Sequence, residues 1–315
     1  MSVPLAIGLF IIGLALVIYF AEKLVSGVVG TARGFGLSAF WISVVFIGFD
    51  PENLAVGATG SYEQMSGIAM GSVVGAAMVA VALALGVTAL IVPLEFERAP
   101  RRILLVPVVA VALAWGLMID GELSRIDGGV LLAGYVIAAG YLLHLNRQGI
   151  DIKAGGEVAE TLERASEHSR WKSLGLMALS LAAIVIGSEM LVRASSELMA
   201  RLGWSDTLFG MTVLAFLVSV EELARELPAA LKKRPDITYG NVLGSVLAFF
   251  LFNAGLIALV RPVQVDAQTR GFYVPVCAAT ILLTSIVMAT RRVPRWAGGL
   301  LVATYIAFVG YGIVR

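Results

Sequence analysis

The chain has 315 residues, of which 59% are hydrophobic and only 14% are charged, and its mean hydropathy is +0.90. Soluble domains carry about 25% charged residues, so this composition excludes a soluble domain and indicates an integral membrane protein. The 23 Lys and Arg nearly balance 22 Asp and Glu, which argues against nucleic acid as a partner because nucleic-acid binding needs a basic surface. One cysteine (Cys277) and two histidines (His144 and His168) argue against a disulfide framework and a zinc or haem cofactor.

Apolar stretches of about 20 residues, the length that crosses a bilayer as a helix, recur along the whole chain. The first stretch has no basic region before it, so we expect a retained helix and not a signal peptide. We predict an all-α integral membrane protein with ten transmembrane helices. The predicted spans are 3–20, 37–59, 67–92, 103–119, 129–145, 173–192, 206–230, 239–260, 271–290 and 296–313.

The basic residues predict how these spans are oriented. If the N-terminus is outside, sixteen Lys and Arg fall on the cytoplasmic side and six on the outer side, as the positive-inside rule expects. Both termini are therefore predicted to be extracellular, in a multi-pass protein of the cell membrane. The longest loop, residues 146–172, is predicted to be a cytoplasmic linker with no chemistry of its own.

The two halves of the chain resemble each other at an offset near 168 residues. The stretch from Gly71 to Gly75 matches the stretch that begins at Gly240, and a proline follows each stretch at a matching position. Each half holds five predicted spans, and an odd number turns the second copy over in the membrane. We therefore predict a first five-helix repeat over 1–145 and an inverted copy over 173–315. Inverted repeats are typical of secondary transporters, which bind their substrate near the bilayer midplane between the copies.

Two predicted spans carry acidic residues at matching positions. The second span holds Asp50, Glu52 and Asn53, and the seventh span holds Glu221 and Glu222. An offset of 169 residues places Glu52 opposite Glu221 and Asn53 opposite Glu222. Ionisable side chains deep in a span cost about 2.5–3.5 kcal/mol each on insertion scales, so their presence there indicates a function.

The second span is expected to restart as a helix inside the membrane. Asp50 is a favoured N-cap residue, and Pro51 suits the first helical position because its missing N–H is not needed there. An interruption at this depth needs protein or a watery cavity around it, and its carbonyl oxygens are available to a cation. Asp50 and Asn53 share a helix face at their spacing, as do Ser219 and Glu222. Oxygen ligands of this kind suit hard cations such as Ca²⁺ or Na⁺.

Simpler structural roles are open for several of these residues. Glu221 and Arg225 lie four residues apart, so Glu221 could simply pair with that arginine, and Glu226 is a second carboxylate within its reach. Asp50 could act only as a helix cap. Glu52 has no basic residue within a helical turn on either side, which favours a functional role for it.

Glycines recur every four residues from Gly67 to Gly75 in the third span. Small residues let membrane helices approach closely, so this ladder predicts tight helix packing. Such an approach would bring Ser72, Asn241 and Ser245 beside the acidic helices.

Together these motifs resemble those of the cation/calcium antiporter superfamily, which includes the sodium/calcium exchangers. Each repeat of that family carries a G-T-S-L-P-E-like stretch followed by a G-N-x-x-G-S-like stretch. Ser219 and Glu222 match the serine and the glutamate of the first motif in its second copy. The stretch from Gly240 to Ser245 fits the second motif fully, and Gly48 begins the first copy.

The resemblance covers most of the chain and implies an antiporter that binds Ca²⁺ and Na⁺, or H⁺, alternately. It implies that two glutamates and nearby oxygen atoms hold the transported cation. Small inorganic cations and the lipid bilayer are the expected partners, and neither a cofactor nor an enzymatic activity is expected. The candidate cation ligands in this chain are Asp50, Glu52, Asn53, Ser219, Glu222 and Ser245.

The chain departs from the family pattern at several positions. Ungapped alignment places Asn53 at the first motif glutamate, whereas a one-residue gap places Glu52 there. Two further site positions of the family fall on Ala80 and Phe249, whose side chains cannot act as ligands. Fewer ligands leave three alternatives open: a divergent exchanger of Mg²⁺, Mn²⁺ or monovalent cations, a transport-inactive homologue, and an intramembrane enzyme that uses the same carboxylates.

Overall fold

The computed structural model describes residues 1–37, 48–96, 101–147 and 170–314, together with residues 42 and 161. Helices account for nearly all of this part of the chain. They are α1 (Val3–Gly34), α2 (Pro51–Tyr62), α3 (Ser66–Ile91), α4 (Arg101–Leu117), α5 (Arg125–Arg147), α6 (Arg170–Leu202), α7 (Asp206–Ser219), α8 (Glu221–Leu231), α9 (Pro235–Val260), α10 (Thr269–Ala289) and α11 (Arg295–Val314).

Seven of the helices within the described ranges are long and apolar enough to cross a membrane, namely α1, α3, α5, α6, α9, α10 and α11. The helices α7 and α8 meet the same criteria only as a pair, bent by 46°, and this pair is an eighth candidate span. The helix α4 is apolar but shorter, and most of the predicted span 37–59 before residue 48 lies outside the described residues. The chain is therefore an all-helical, multi-pass membrane protein, and the number of ten spans stays a prediction. The predicted linker 146–172 also lies mainly outside the described residues.

The central helices of the fold are α3 and α9. In the most apolar 18-residue stretch of each helix, 78% of the residues of α3 and 83% of those of α9 are buried inside the protein. The corresponding shares are 17% for α1 and 33% for α6. The exposed apolar side chains of the outer helices suit lipid, in which apolar surface needs no burial by protein. Both central helices contain a π-helical segment, Val79–Ala84 in α3 and Ala248–Asn253 in α9.

Two short antiparallel strand pairs interrupt the helical architecture. Strand β1 (Leu94–Glu95) pairs with β4 (Arg292–Val293), and β2 (Glu122–Leu123) pairs with β3 (Val263–Gln264). The prediction of a purely helical chain missed these pairs, because two residues are too few to show a period-2 pattern. Each pair joins a loop of the first half of the chain to a loop of the second half.

Glycines let several helices cross with their backbones in contact. A Cβ atom built on Gly71 of α3 would lie 2.3 Å from the carbonyl oxygen of Gly210 in α7, and one on Gly67 would lie 2.1 Å from the backbone nitrogen of Thr207. The close packing predicted from the glycine ladder is therefore confirmed. A similar crossing joins α1 to α6, where a Cβ on Gly13 would lie 2.7 Å from the carbonyl oxygen of Gly187.

Two further glycine crossings occupy equivalent places in the two halves. A Cβ atom on Gly298 of α11 would lie 2.6 Å from the carbonyl oxygen of Gly86 in α3. A Cβ atom on Gly128 of α5 would lie 2.7 Å from the carbonyl oxygen of Gly255 in α9. Each central helix therefore packs closely against the last helix of the other half.

Candidate cation site

The start of α2 is held in place by backbone geometry and by a helix cap. Gly48 has a φ of +65°, which favours glycine, and a Cβ there would lie 2.0 Å from the carbonyl oxygen of Gly244. The Asp50 carboxylate then accepts a hydrogen bond from the backbone N–H of Asn53 at 2.8 Å, and Pro51 takes the first helical position. The predicted start of a helix at Asp50 and Pro51 is confirmed.

A second break faces this one, between α7 and α8. The predicted span 206–230 coincides with α7 and α8 together, and the chain bends by 46° between Ser219 and Glu221, a bend that the sequence analysis did not predict. The bend places Glu221 and Glu222 in the first turn of α8, where the positive end of the helix dipole favours carboxylates. The Asn53 amide donates to the Ser219 hydroxyl at 2.9 Å, so the two breaks are in direct contact.

Three carboxylates meet between these breaks, and we call them the first acidic cluster. Carboxylate oxygens of Asp50, Glu52 and Glu221 lie within 4.8 Å of one another. Asp50 and Glu52 are buried, with 4% and 1% of their surface exposed, and Glu221 is half-buried. Like charges at such distances repel strongly where the dielectric constant is low, so this cluster needs a cation or protons nearby.

A guanidinium group lies against the first acidic cluster. The Arg225 Nη2 atom is 2.9 Å from Glu221 Oε1 and 3.9 Å from Glu52 Oε1. The pairing of Glu221 with Arg225 was one of the simpler roles predicted from their spacing, and it is confirmed. The contact with Glu52 was missed, because helical spacing reports only on neighbours within one helix and this contact joins α2 to α8.

Two more carboxylates form a second acidic cluster beside the first. The Asn241 amide donates to Glu222 Oε2 at 2.5 Å and to Glu226 Oε1 at 3.1 Å, and the Ser245 hydroxyl donates to Glu222 Oε1 at 3.0 Å. All four side chains are buried. The predicted approach of Asn241 and Ser245 to an acidic helix is therefore observed. Glu226 was not among the candidate ligands, although its spacing of four residues from Glu222 places both on one helix face.

The six candidate ligands named from the sequence are all buried and lie on four neighbouring helices. Asp50, Glu52 and Asn53 lie at the start of α2, Ser219 and Glu222 flank the α7–α8 break, and Ser245 lies on α9. Asp50, Asn53 and Ser219 form one hydrogen-bonded chain, because the Asn53 amide also donates to Asp50 Oδ2 at 3.0 Å. Glu222 and Ser245 belong to the second acidic cluster.

Uncharged oxygen atoms also lie in the candidate cation site. The side-chain carbonyl oxygens of Asn53 and Asn253 are buried and accept no hydrogen bond within the part of the chain that the structure describes. The Asn253 amide donates to the backbone carbonyl oxygen of Asp50 at 3.4 Å, which places it beside the helix break. Buried oxygens without donors are suitable ligands for a hard cation. Ala80 and Phe249 are also fully buried, and they contribute only apolar surface.

Broken helices that meet at buried carboxylates inside a multi-pass helical protein define the class of secondary cation transporters. Comparison with known families agrees, since the model of the family described as "Sodium/calcium exchanger protein" matches residues 5–143 and 172–314. The chain belongs to this family of cation/calcium antiporters, whose members are transporters and not enzymes.

Individual relatives match over nearly their whole lengths. The putative antiporter CaxA of Alkalimonas amylolytica is 27% identical over 309 residues, which are 96% of this chain and 95% of the relative. A sodium/calcium exchanger of Methanosarcina acetivorans is 27% identical over 337 residues, with 96% of each chain covered. A solved structure of the sodium-calcium exchanger NCX_Mj superposes with a TM-score of 0.62 at 27% identity, covering 98% of this chain and 99% of that one.

Proposed function

We propose that the protein is a secondary-active antiporter that exchanges Ca²⁺ for Na⁺ or H⁺ by alternating access. The observation that carries this proposal is the meeting of two helix breaks at buried carboxylates, with Asp50 and Glu52 on one side and Glu222 on the other. The names of the relatives support the class of cargo, since one is a sodium/calcium exchanger and another is a putative antiporter.

The proposed ligands divide into charged and neutral oxygens. Asp50, Glu52 and Glu222 supply negative charge to the cation, and the oxygens of three further candidates, Asn53, Ser219 and Ser245, replace part of its hydration shell. Two cations cannot share these carboxylates cheaply in a low dielectric, so the binding of one ion expels the other. In the proposed mechanism only the ion-bound protein changes its conformation, so this competition couples the two fluxes.

The proposal includes two inverted five-helix repeats, over 1–145 and 173–315, joined by a cytoplasmic linker at 146–172, with both termini outside. The matched features of the two halves support the repeat. The strand pairs and the glycine crossings of the central helices each occur twice, about 169 or 170 residues apart, and the π-helical segment Val79–Ala84 has a counterpart in Ala248–Asn253 at the same offset. An odd number of spans in each half then gives the inverted orientation.

Transport in proteoliposomes tests the proposed function. We expect Ca²⁺ uptake when an outward gradient of Na⁺ or of protons is imposed. Glu222→Gln keeps the size of the side chain but removes its charge, so uptake should fall to the level of empty liposomes while the protein remains folded. The matched control is Glu95→Gln, because Glu95 forms an exposed ion pair with Arg292 far from the site and should transport normally.

Several outcomes would contradict the proposal. Ca²⁺ uptake that neither gradient drives would exclude antiport. Stronger competition by Mg²⁺, Mn²⁺ or a monovalent ion than by Ca²⁺ would favour a divergent exchanger. A purified protein whose thermal stability no cation raises would favour a transport-inactive homologue, because any ligand of the folded state adds RT ln(1+[L]/Kd) to its stability.

A further inference from the structure

Arg225 places a permanent positive charge inside the candidate cation site. Its side chain is only 14% exposed, and its guanidinium lies 2.9 Å from Glu221 and 3.9 Å from Glu52. An arginine stays protonated at any physiological pH, so this charge cannot be removed by titration. The first acidic cluster is therefore partly neutralised by the protein itself.

The guanidinium and a bound cation would compete for the same oxygens. A cation held by Asp50, Glu52 and Glu221 lies within a few ångströms of the Arg225 guanidinium, since all three carboxylates are mutually in reach and two of them contact it. Coulomb repulsion is proportional to the charge of the ion, so a divalent cation is repelled twice as strongly as a monovalent one at the same position. The arginine therefore affects the two kinds of cargo unequally.

We propose that Arg225 is a specificity-determining residue, a tethered cation that lowers the affinity of the site for divalent ions relative to monovalent ions. This inference rests on the proposed function, because it assumes that the first acidic cluster takes part in cation binding. It goes beyond that function by assigning the balance between Ca²⁺ and Na⁺ to one side chain. The same side chain joins α2 to α8 across the site.

The test is the ratio of the apparent Ca²⁺ and Na⁺ affinities of the purified protein, measured by thermal stabilisation in detergent. Arg225→Gln removes the charge, and the ratio should shift toward Ca²⁺ by at least about tenfold, the change that Coulomb repulsion at a few ångströms allows even at an effective dielectric constant of 20. Arg225→Lys keeps the charge, and the ratio should move by less than about threefold.

Arg193→Gln is the matched control. Arg193 also pairs with a glutamate four residues before it, Glu189, at 2.6 Å, but its side chain is 64% exposed and lies outside both acidic clusters. Loss of this pair should leave the Ca²⁺ to Na⁺ ratio unchanged. A merely structural ion pair at Arg225 would behave in the same way, so a ratio that stays constant in Arg225→Gln overturns the proposal.

The remaining outcomes also support or overturn the proposed role of Arg225. Arg225→Met is made in parallel, because it keeps an apolar stem without the charge, and Ca²⁺ should stabilise both neutral variants. If neither neutral variant folds even with Ca²⁺ present, Arg225 is a structural partner and the proposal fails. Ca²⁺ binding to Arg225→Gln but not to the unmodified protein supports the specificity role and contradicts the proposed Ca²⁺ exchange. Absence of cation binding in every variant contradicts both.

Discussion

Replacement of Gly71 by alanine tests the crossing of α3 and α7 on which the position of the site depends. The added Cβ would lie 2.3 Å from both the carbonyl carbon and the carbonyl oxygen of Gly210. Carbon atoms pack at about 3.5–4.0 Å, so the two helices must separate by roughly 1 Å or more. Both obstructing atoms belong to the backbone, and no side-chain rotation can relieve the contact.

The expected loss of stability in Gly71→Ala follows from the cost of overpacking. Extra methyl groups in a packed interior cost about 1–3 kcal/mol, and we expect Gly71→Ala to lie at the upper end, about 3 kcal/mol, because the backbone has to move. At about 2 °C for each kcal/mol in chains of this size, the midpoint of thermal unfolding should fall by about 6 °C. The assay is the monodisperse fraction that remains after heating in detergent, always at one heating rate because the midpoint of irreversible unfolding depends on that rate.

The control for this prediction is Gly140→Ala in α5. No heavy atom lies within 4 Å of the Cβ position at Gly140, so alanine should be tolerated and should add helix propensity. A midpoint for Gly71→Ala that matches the unmodified protein would refute the reasoning, since it would mean that α3 and α7 do not touch through their backbones.

Two further predictions concern the cap of α2 and the orientation of the chain. Asp50→Asn keeps an oxygen that can accept the Asn53 N–H, so this variant should fold normally but lose Ca²⁺ uptake. Asp50→Ala removes that oxygen, so it should lose Ca²⁺ uptake and also about 1 kcal/mol of stability. Normal uptake by Asp50→Asn would leave Asp50 with a capping role only. In a Cys277→Ala background, a membrane-impermeant maleimide should label a cysteine at Arg315 in intact cells and should not label one at Lys153, and the reverse pattern would contradict the proposed orientation.

Much of the fold was predictable because the membrane limits the alternatives. Composition alone identified a multi-pass helical protein, since only helices and closed barrels satisfy the backbone in lipid. The restart of α2 was predictable because Asp50 and Pro51 are specific signals for a helix N-terminus. Close packing of α3 was predictable because Gly67 and Gly71 lie on one helix face, but its partner α7 is known only from the structure.

Other features had no local signal. The break between α7 and α8 falls at Val220, and neither a proline nor a glycine stands there to mark it. The sequence around the break therefore looks like that of a continuous helix. The contact between Glu52 and Arg225 joins residues 173 positions apart, and no spacing rule reaches across that distance. The second acidic cluster was found only in part, because Glu226 was considered as a partner of Arg225 and not as a neighbour of Glu222.

The two small strand pairs have a mechanical consequence. Strand β1 follows α3 and pairs with the strand that precedes α11, while β3 follows α9 and pairs with the strand that precedes α5. Since α4 runs from the first pair toward the second, the pairs clamp opposite ends of the bundle. Each strand pair joins two helices that also cross at glycines, α3 with α11 and α9 with α5, so the hydrogen bonds of each pair hold that crossing in place at one end.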